Sequence, residues 1–218
     1  MRPRRSCLAV PGSNPRFHAK ADQSAADQIF LDLEDSVAPG AKVAARDQVV
    51  EALRTYQFAG KVRTVRVNAC DTRWCFDDII AVVEGAGDRL DCLMIPKVEG
   101  VDHVNFVVHL LNQLEWKHGL ERRIGLELQI ESARGMENIN AIAGASDRAQ
   151  TLIFWPRDFS SYLRLPALSV GRRQPDSPGD LRHHFPPPAL PAARAVLACE
   201  EWATDVAVAD QPLDGRYS

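Results

Sequence analysis

Short apolar runs alternate with longer amphipathic segments from residue 5 to about residue 165, and this order restricts the fold more than any other feature of the sequence. The runs are rich in Val, Ile, Leu and Phe, which is typical of buried strands. Six of them are predicted to be strands: Cys7–Val10, Gln28–Leu33, Thr64–Asn68, Leu90–Ile95, Ile124–Ile130 and Thr151–Trp155. Five segments of helical periodicity lie after the first five strands: Pro15–Ala26, Lys42–Tyr56, Phe76–Gly85, Val101–Lys117 and Arg134–Gly144.

A repeated strand–helix order implies parallel strands joined by crossover helices. The class is therefore α/β. Polar residues stand at the C-terminal end of each strand, and this favours a (β/α)8 TIM barrel, in which the chemistry gathers at those ends. A doubly wound open sheet is the alternative with the same element order. No GxGxxG pattern follows the first strand, and this weakens a dinucleotide-binding interpretation.

The alternation ends near residue 165. Residues 166–218 contain many prolines and are predicted to form an irregular region with one helix, Ala189–Ala203, and a divergent tail. No seventh or eighth strand is predicted there. The barrel is therefore expected to be truncated after about six strand–helix units. The predicted division is a barrel core with the active-site motifs at 1–165 and a Pro-rich region at 166–218.

Composition narrows the choice of partners and location. The chain is 45% hydrophobic and has a formal net charge of −3. It has no run of about 18 apolar residues, so no membrane contact is expected. The slight acidity gives no reason to expect nucleic acid as a partner. Five scattered cysteines without a CxxC pair predict reduced thiols in a cytoplasmic protein.

Three carboxylates follow the second predicted strand: Asp32, Glu34 and Asp35. Clustered acids repel one another unless a metal, a basic partner or water compensates their charge. The cluster could therefore belong to a functional site. The alternative is a helix-capping loop whose acids are solvated, and the spacing leaves both interpretations open.

Two basic residues lie in or directly after predicted strands, where a positive charge has to be paired with an anion or a hydrogen-bond acceptor. Arg66 is inside the third predicted strand, and a buried guanidinium has to be paired or hydrogen-bonded. It could grip a ligand carboxylate with two hydrogen bonds, or form an internal ion pair with Glu34 or Asp35. Lys97 follows the fourth strand. A Schiff-base nucleophile is one interpretation, and an ion pair with the acidic cluster is the one favoured.

Glu131 and Asp158 each follow a strand, the fifth and the sixth. Carboxylates from successive strand ends can share one hard cation, and Mg²⁺ commonly takes one or two carboxylates together with water and substrate oxygens. Each acid alone is a weak signal, because Asp and Glu are common near helix starts. With Arg66 they predict a metal site beside an anion clamp. Arg16 and Lys20 lie one turn apart on the first helix and could meet phosphates, or simply face solvent.

Several motifs in the same order resemble one known family. They are RSCLAVPGSNPRFHAKA, IFLDLEDSVAPGAK, VRVNACDT, GDRLDCLMIPKVEG and LELQIESARG. Together they resemble L-malyl-CoA/β-methylmalyl-CoA lyases and their relatives in the citrate lyase β-subunit-like group of the HpcH/HpaI aldolase superfamily. The resemblance extends over about residues 5–180 and implies a TIM barrel that assembles as a trimer or hexamer.

The resemblance also implies chemistry and roles for single residues. It implies a Mg²⁺-dependent lyase that reversibly cleaves a 3-hydroxyacyl-CoA, such as malyl-CoA, to acetyl-CoA or propionyl-CoA and glyoxylate. Its partners would be an acyl-CoA and a 2-oxo acid. Glu131 and Asp158 would bind Mg²⁺, and Arg66 would bind substrate oxygens. The remaining implied roles are metal-bound water held by Glu34 and Asp35, and CoA contacts by Lys20 and Arg16.

This chain departs from the family pattern in two places. Trp155 stands where a glycine is expected and Arg157 lies beside Asp158, and both changes are expected to crowd or weaken the metal site. The C-terminal motifs that would contact CoA and a neighbouring subunit are not recognisable. Two alternatives to the lyase therefore stay open: a (3S)-malyl-CoA thioesterase, and a catalytically inactive truncated paralogue acting as an interaction subunit.

Overall fold

Parallel strands arranged in the order of the sequence form the sheet at the centre of the fold. The computed structural model describes residues 4–163 and the backbone of one further strand at residues 205–208. Each strand pairs in parallel with the next along the chain. The strands are β1 (Cys7–Pro11), β2 (Gln28–Asp32), β3 (Val62–Arg66), β4 (Cys92–Ile95), β5 (Gly125–Ile130), β6 (Ala149–Phe154) and β7 (Asp205–Val208).

Helices follow the strands as the periodicity predicts. They are α1 (Pro15–Asp22), α2 (Lys42–Thr55), α3 (Cys75–Ala86), α4 (Val101–His118), α5 (Ala133–Glu137), α6 (Ile139–Ala143) and α7 (Pro156–Tyr162), with short 3₁₀ turns at Pro39–Ala41 and Gly87–Arg89. Among the residues described, no helix combines the length and apolar character needed to cross a bilayer.

The predicted strand–helix alternation is confirmed, because each of the six predicted strands overlaps an observed one. Two details differ. The helix predicted over Arg134–Gly144 is two helices, α5 and α6, because the backbone leaves helical geometry at Asn138, whose amide donates to the carbonyl of Glu99 at 2.8 Å.

The other difference is β7, a seventh strand that the sequence analysis did not identify, and it corrects the expectation that none exists. It pairs with β6 from Thr151 opposite Asp205 to Phe154 opposite Val208. A run of only four residues after a long Pro-rich segment gives little periodicity to detect. The predicted helix at Ala189–Ala203 lies outside the described residues. The division of the chain at residue 165 stays a prediction.

Two apolar layers lie on opposite faces of the sheet. The larger core packs the outward side chains of the strands against the helices. A smaller cluster is made by Phe30, Met94 and Ile153, with Trp155 packed against it. These residues come from β2, β4 and β6 and the end of β6, as expected for a layer of side chains inside a barrel, which alternate strands fill. This smaller cluster lies inside the sheet, below the residues at the C-terminal ends of the strands.

Polar residues fill the same interior at the N-terminal end of the strands. Glu127 on β5 is 0% exposed. It accepts a hydrogen bond from Gln28 at 2.8 Å and forms an ion pair with Arg4 at 2.9 Å. The buried carboxylate therefore has partners supplied by the chain itself. This arrangement accounts for an acid deep in an apolar strand without any ligand.

Gly135 lets α5 pack closely against the segment that follows β4. A Cβ atom at this position would lie 2.4 Å from the carbonyl oxygen of Val98, a backbone atom that cannot rotate away. Gly135→Ala is therefore expected to lower the free energy of unfolding by about 1–3 kcal/mol, measured by urea denaturation. Gly40→Ala is the control, because nothing lies within 4 Å of its added Cβ, and equal losses in both variants would contradict the packing argument.

Candidate functional site

The register of β2 and β3 places Asp32 directly opposite Arg66 at the C-terminal edge of the sheet. Arg66 donates from Nε and Nη2 to the two oxygens of Asp32, each at 2.8 Å. Burial alone would raise the pKa of Asp32, but the hydrogen bonds from Arg66 hold it below its ordinary value. Two of the five N–H groups of Arg66 are used in this way, and three remain for other acceptors.

Glu34 lies between two cations in the loop that follows β2. Its Oε2 atom is 3.1 Å from Nη1 of Arg66, and its Oε1 atom accepts a hydrogen bond from Lys97. Glu34 is buried, and Oε2 has no hydrogen-bond partner among the described residues. That oxygen is therefore available to accept from a ligand or a water molecule. Asp35, next along the chain, is exposed and lies 3.6 Å from Lys97.

Lys97 has a backbone φ of 52°, in the left-handed region that side chains other than Gly rarely adopt. Burial lowers its pKa, but the hydrogen bond and charge of Glu34 outweigh that effect and raise the pKa of Lys97 to about 12. A lysine that keeps its proton in this way is a poor Schiff-base nucleophile. The structure thus places Lys97 in the ion pair with the acidic cluster that the sequence analysis favoured.

Glu131, which directly follows β5, is buried without a hydrogen bond or an ion pair within the described residues, although the charges of Lys97 and Arg66 act on it. It is 3% exposed, and neither of its carboxylate oxygens has a hydrogen-bond partner within the described part of the chain. Burial, followed by the charges of Glu34 and Asp158, raises its pKa to about 8. Glu127, four residues earlier on the same strand, has partners for its charge, so burial on β5 does not by itself leave an acid unpaired. A cation from outside the chain would stabilise the ionised form of Glu131.

Asp158 lies in the first turn of α7 and is partly buried. Its charge contributes to the raised pKa of Glu131, so the two acids are close enough to interact electrostatically. Within the described residues no group of three or more metal-ligating side chains is found. Two carboxylates are nevertheless the usual protein contribution to a Mg²⁺ site, and hard oxygen donors suit that ion. The unpartnered oxygens of Glu131 fit such a cation.

The expectation that Trp155 and Arg157 crowd or weaken the metal site stays a prediction. Arg157 is exposed. The ring centre of Trp155 lies 5.7 Å from the guanidinium carbon of Arg66, and the ring of Phe30 lies 5.4 Å from the same atom. Both rings therefore favour the charged guanidinium and restrict its position. The large residue at 155 forms a wall of the Arg66 site.

Arg16 and Lys20 are not part of this group of charges. Both are exposed on α1, and the ammonium of Lys20 lies 5.9 Å from the ring of Phe17 on its own helix. Inside the described range, no hydrogen bond or ion pair links either residue to Arg66 or Glu131. The structure therefore brings together Arg66, Glu34, Asp35, Glu131 and Asp158 at one edge of the sheet and leaves the two basic residues of α1 on the surface.

Several supporting residues were missed by the sequence analysis. The buried ammonium of Lys42 donates to the carbonyls of Leu33 and Glu34, both at 2.9 Å, and to Asn68 at 2.6 Å. These bonds fix the backbone that carries the acids. Gln129 is fully buried two residues before Glu131, and both polar atoms of its amide lack partners in the described chain. A polar residue inside an apolar segment is the signal that would have identified both.

Comparisons with known proteins agree with the resemblance that the motifs indicate. The profile of the HpcH/HpaI aldolase/citrate lyase family matches residues 5–173. An L-malyl-CoA/β-methylmalyl-CoA lyase from Cereibacter sphaeroides is 39% identical over 173 residues, which cover 79% of this chain and 54% of that protein. A (3S)-malyl-CoA thioesterase from the same species is 37% identical over 150 residues, covering 69% and 52%. The chain thus spans about half the length of these relatives.

The fold has counterparts among solved structures. A citrate lyase β subunit from M. tuberculosis, complexed with oxaloacetate and magnesium, superposes with a TM-score of 0.66. It is 26% identical, and the match covers 94% of this chain and 79% of the other. The (β/α) barrel fold expected from the order of the elements is confirmed by this likeness.

Proposed function

The chain belongs to the HpcH/HpaI aldolase/citrate lyase family, and we propose that it acts as a Mg²⁺-dependent carbon–carbon lyase on a CoA thioester. The reaction proposed is the reversible cleavage of a 3-hydroxyacyl-CoA, such as malyl-CoA, to acetyl-CoA or propionyl-CoA and glyoxylate. One observation carries the proposal. Glu131 is buried with no internal partner, close to the negative charge of Asp158 and to the guanidinium of Arg66.

Glu131 and Asp158 would hold the Mg²⁺ ion, which when bound supplies a Lewis acid for a carbonyl oxygen of the oxo acid. Glu34 would act beside them, because its unpartnered Oε2 can accept a hydrogen bond from a water molecule in the site. Asp35 would do the same from the exposed rim. Burial raises the pKa of Glu34, and the charges of Arg66 and Lys97 oppose that effect and favour the ionised form, which accepts hydrogen bonds.

Arg66 would bind the negatively charged oxygens of the substrate. Its two hydrogen bonds to Asp32 fix the plane of the guanidinium. Its other N–H groups do not bond to Asp32. Negative charge grows on the thioester oxygen when the α-proton is removed, and a fixed guanidinium stabilises that charge without having to reorganise. Phe30 and Trp155 exclude water from one part of this site. Arg16 and Lys20 are proposed to meet the CoA phosphates, and assembly as a homo-oligomer is proposed by family resemblance.

The proposal is tested by giving the purified chain Mg²⁺, acetyl-CoA or propionyl-CoA, and glyoxylate, and following the CoA esters by chromatography. We expect a malyl-CoA product that disappears in Glu131→Ala and with a chelator. The exposed variant Glu121→Ala is the control and should keep the activity. A chain that is folded and binds neither metal nor CoA would contradict the proposal and favour an interaction subunit.

The second candidate is a (3S)-malyl-CoA thioesterase, favoured by the relative of that name that is 37% identical. The same site would then hold a water molecule near the thioester where the lyase would hold the oxo acid. Malyl-CoA offered alone separates the two. Release of free CoA with malate supports the thioesterase, whereas acetyl-CoA with glyoxylate supports the lyase.

A further inference from the structure

Two cysteines that are five residues apart in the sequence lie close together between β3 and α3. The Sγ atoms of Cys70 and Cys75 are 4.0 Å apart. A turn closed by the bond from the Thr72 amide to the Ala69 carbonyl, at 3.0 Å, brings them together. A disulfide has its sulfur atoms about 2 Å apart, so the pair needs to close by about 2 Å. Side-chain rotation and a small change in the turn can supply that movement.

The two thiols differ in access and in acidity. Cys70 is partly exposed, whereas Cys75 is buried at the first position of α3. The thiol of Cys75 donates to the sulfur of Cys70, and this hydrogen bond lowers the pKa of Cys70 although burial opposes it. By contrast, the same hydrogen bond and then burial raise the pKa of Cys75. Cys70 is therefore the more reactive thiol of the pair, because the thiolate is the nucleophile.

We propose that Cys70 and Cys75 form an oxidisable dithiol that a hydroperoxide converts to an intramolecular disulfide. This modification site is independent of the proposed lyase reaction. The Cys70 thiolate attacks the O–O bond of the peroxide, giving a sulfenic acid and releasing hydroxide, which takes up a proton. The Cys75 sulfur then displaces the sulfenic oxygen, and its proton leaves with that oxygen as water. The dithiol loses two electrons, and hydrogen peroxide is reduced to two molecules of water.

The dithiol is connected to the candidate site by the loop that it would close. Trp74 lies between the two cysteines in sequence, and the ammonium of Lys42 is 5.2 Å from its ring. Lys42 in turn donates to the carbonyl of Glu34. A bond between the cysteines would shift this loop, so we expect the oxidised form to hold the acidic cluster less firmly.

Peptide mapping tests the proposal directly, because Arg73 lies between the two cysteines. Trypsin cuts after Arg66, Arg73 and Arg89, so the reduced protein gives separate peptides of residues 67–73 and 74–89. After treatment of the folded chain with hydrogen peroxide and blocking of free thiols, we expect these two peptides to appear as one linked species. Its mass should equal the sum of the two, less two hydrogen atoms. Cys92 should be recovered as a blocked thiol.

Two variants identify the roles of the thiols. In Cys75→Ser the sulfenic acid at Cys70 has no partner, so a dimedone adduct should accumulate there and be scarce in the parent. In Cys70→Ser both the adduct and the linked peptide should be lost. Cys92→Ser is the matched control and should form the link as the parent does. Equal yields of the link in urea and in the folded chain would overturn the proposal, as would oxidation of Cys70 to sulfinic acid without any link.

Discussion

Replacing Glu131 by Gln is expected to make the metal-free protein more stable at alkaline pH and to abolish its stabilisation by Mg²⁺. The parent carboxylate is buried with neither oxygen hydrogen-bonded. In the ionised state it is a buried charge without a hydrogen bond among the described residues, which is costly inside a protein. Glutamine keeps the shape and removes the charge, so the metal-free protein no longer carries that cost. It also removes an anionic ligand, so the gain from Mg²⁺ is lost.

The pH dependence has a definite sign. Folding raises the pKa of Glu131 from 4.5 to about 8, so between these values the native state holds more protons than the unfolded state. Stability of the metal-free parent therefore falls as pH rises through this range and levels off above about pH 8. The shift corresponds to a loss on the order of 5 kcal/mol. Protons compete with the ion for the carboxylate, so stabilisation by Mg²⁺ should grow over the same range.

Thermal unfolding at pH 5 and pH 9, with and without Mg²⁺, measures both effects. Glu131→Gln should lose less stability than the parent between the two pH values and should not respond to Mg²⁺ at either. Glu127→Gln is the matched control on the same strand, since its carboxylate already has Gln28 and Arg4 as partners. It should still respond to Mg²⁺ as the parent does. An unchanged Mg²⁺ response in Glu131→Gln would mean that Glu131 is not a ligand.

The sequence predicted the arrangement of the fold because the strand signal is local. Each of the first six strands is a compact apolar run, and the pairing follows from the rule that crossover connections give parallel neighbours. The same signal was too weak for β7, whose sequence DVAV contains an acid and a small residue, whereas the equally short β4 has the apolar sequence CLMI. The break at Asn138 was missed because it depends on a hydrogen bond to Glu99, far away in the sequence. Contacts between residues far apart in the sequence produce no periodic pattern from which they could be predicted.

The sequence also predicted the acids of the candidate site from their position at strand ends, but it did not reveal which buried acids form ion pairs within the chain. Glu127 lies on β5 and Glu131 directly follows that strand. The fold brings Arg4 into an ion pair with Glu127, whereas Glu131 forms no ion pair within the described residues. The pairing of Cys70 with Cys75 was hidden in the same way, because a spacing of five residues matches no standard motif. Charge compensation and thiol proximity depend on tertiary contacts.

Replacing Arg66 by Met is expected to lower the free energy of unfolding by about 3–5 kcal/mol, because it leaves the buried carboxylate of Asp32 without a cation and leaves Glu34 with Lys97 alone. Arg66 holds both oxygens of Asp32 at 2.8 Å and lies 3.1 Å from Glu34. Arg123→Met is the matched control. Arg123 also holds both oxygens of an aspartate, Asp147, but that pair is exposed to solvent. Its loss should cost about 0–1 kcal/mol.

A double-mutant cycle separates the lost ion pair from the lost packing of the Arg66 side chain against Phe30 and Trp155. Asp32→Asn removes the charge that Arg66→Met leaves unpaired, so the double variant should be more stable than the sum of the two single losses predicts, by about 0.5–3 kcal/mol. Urea denaturation at pH 7 measures all four proteins. Additive losses would show that Asp32 and Arg66 do not depend on each other, and the guanidinium would then have no fixed partner to orient it toward a substrate.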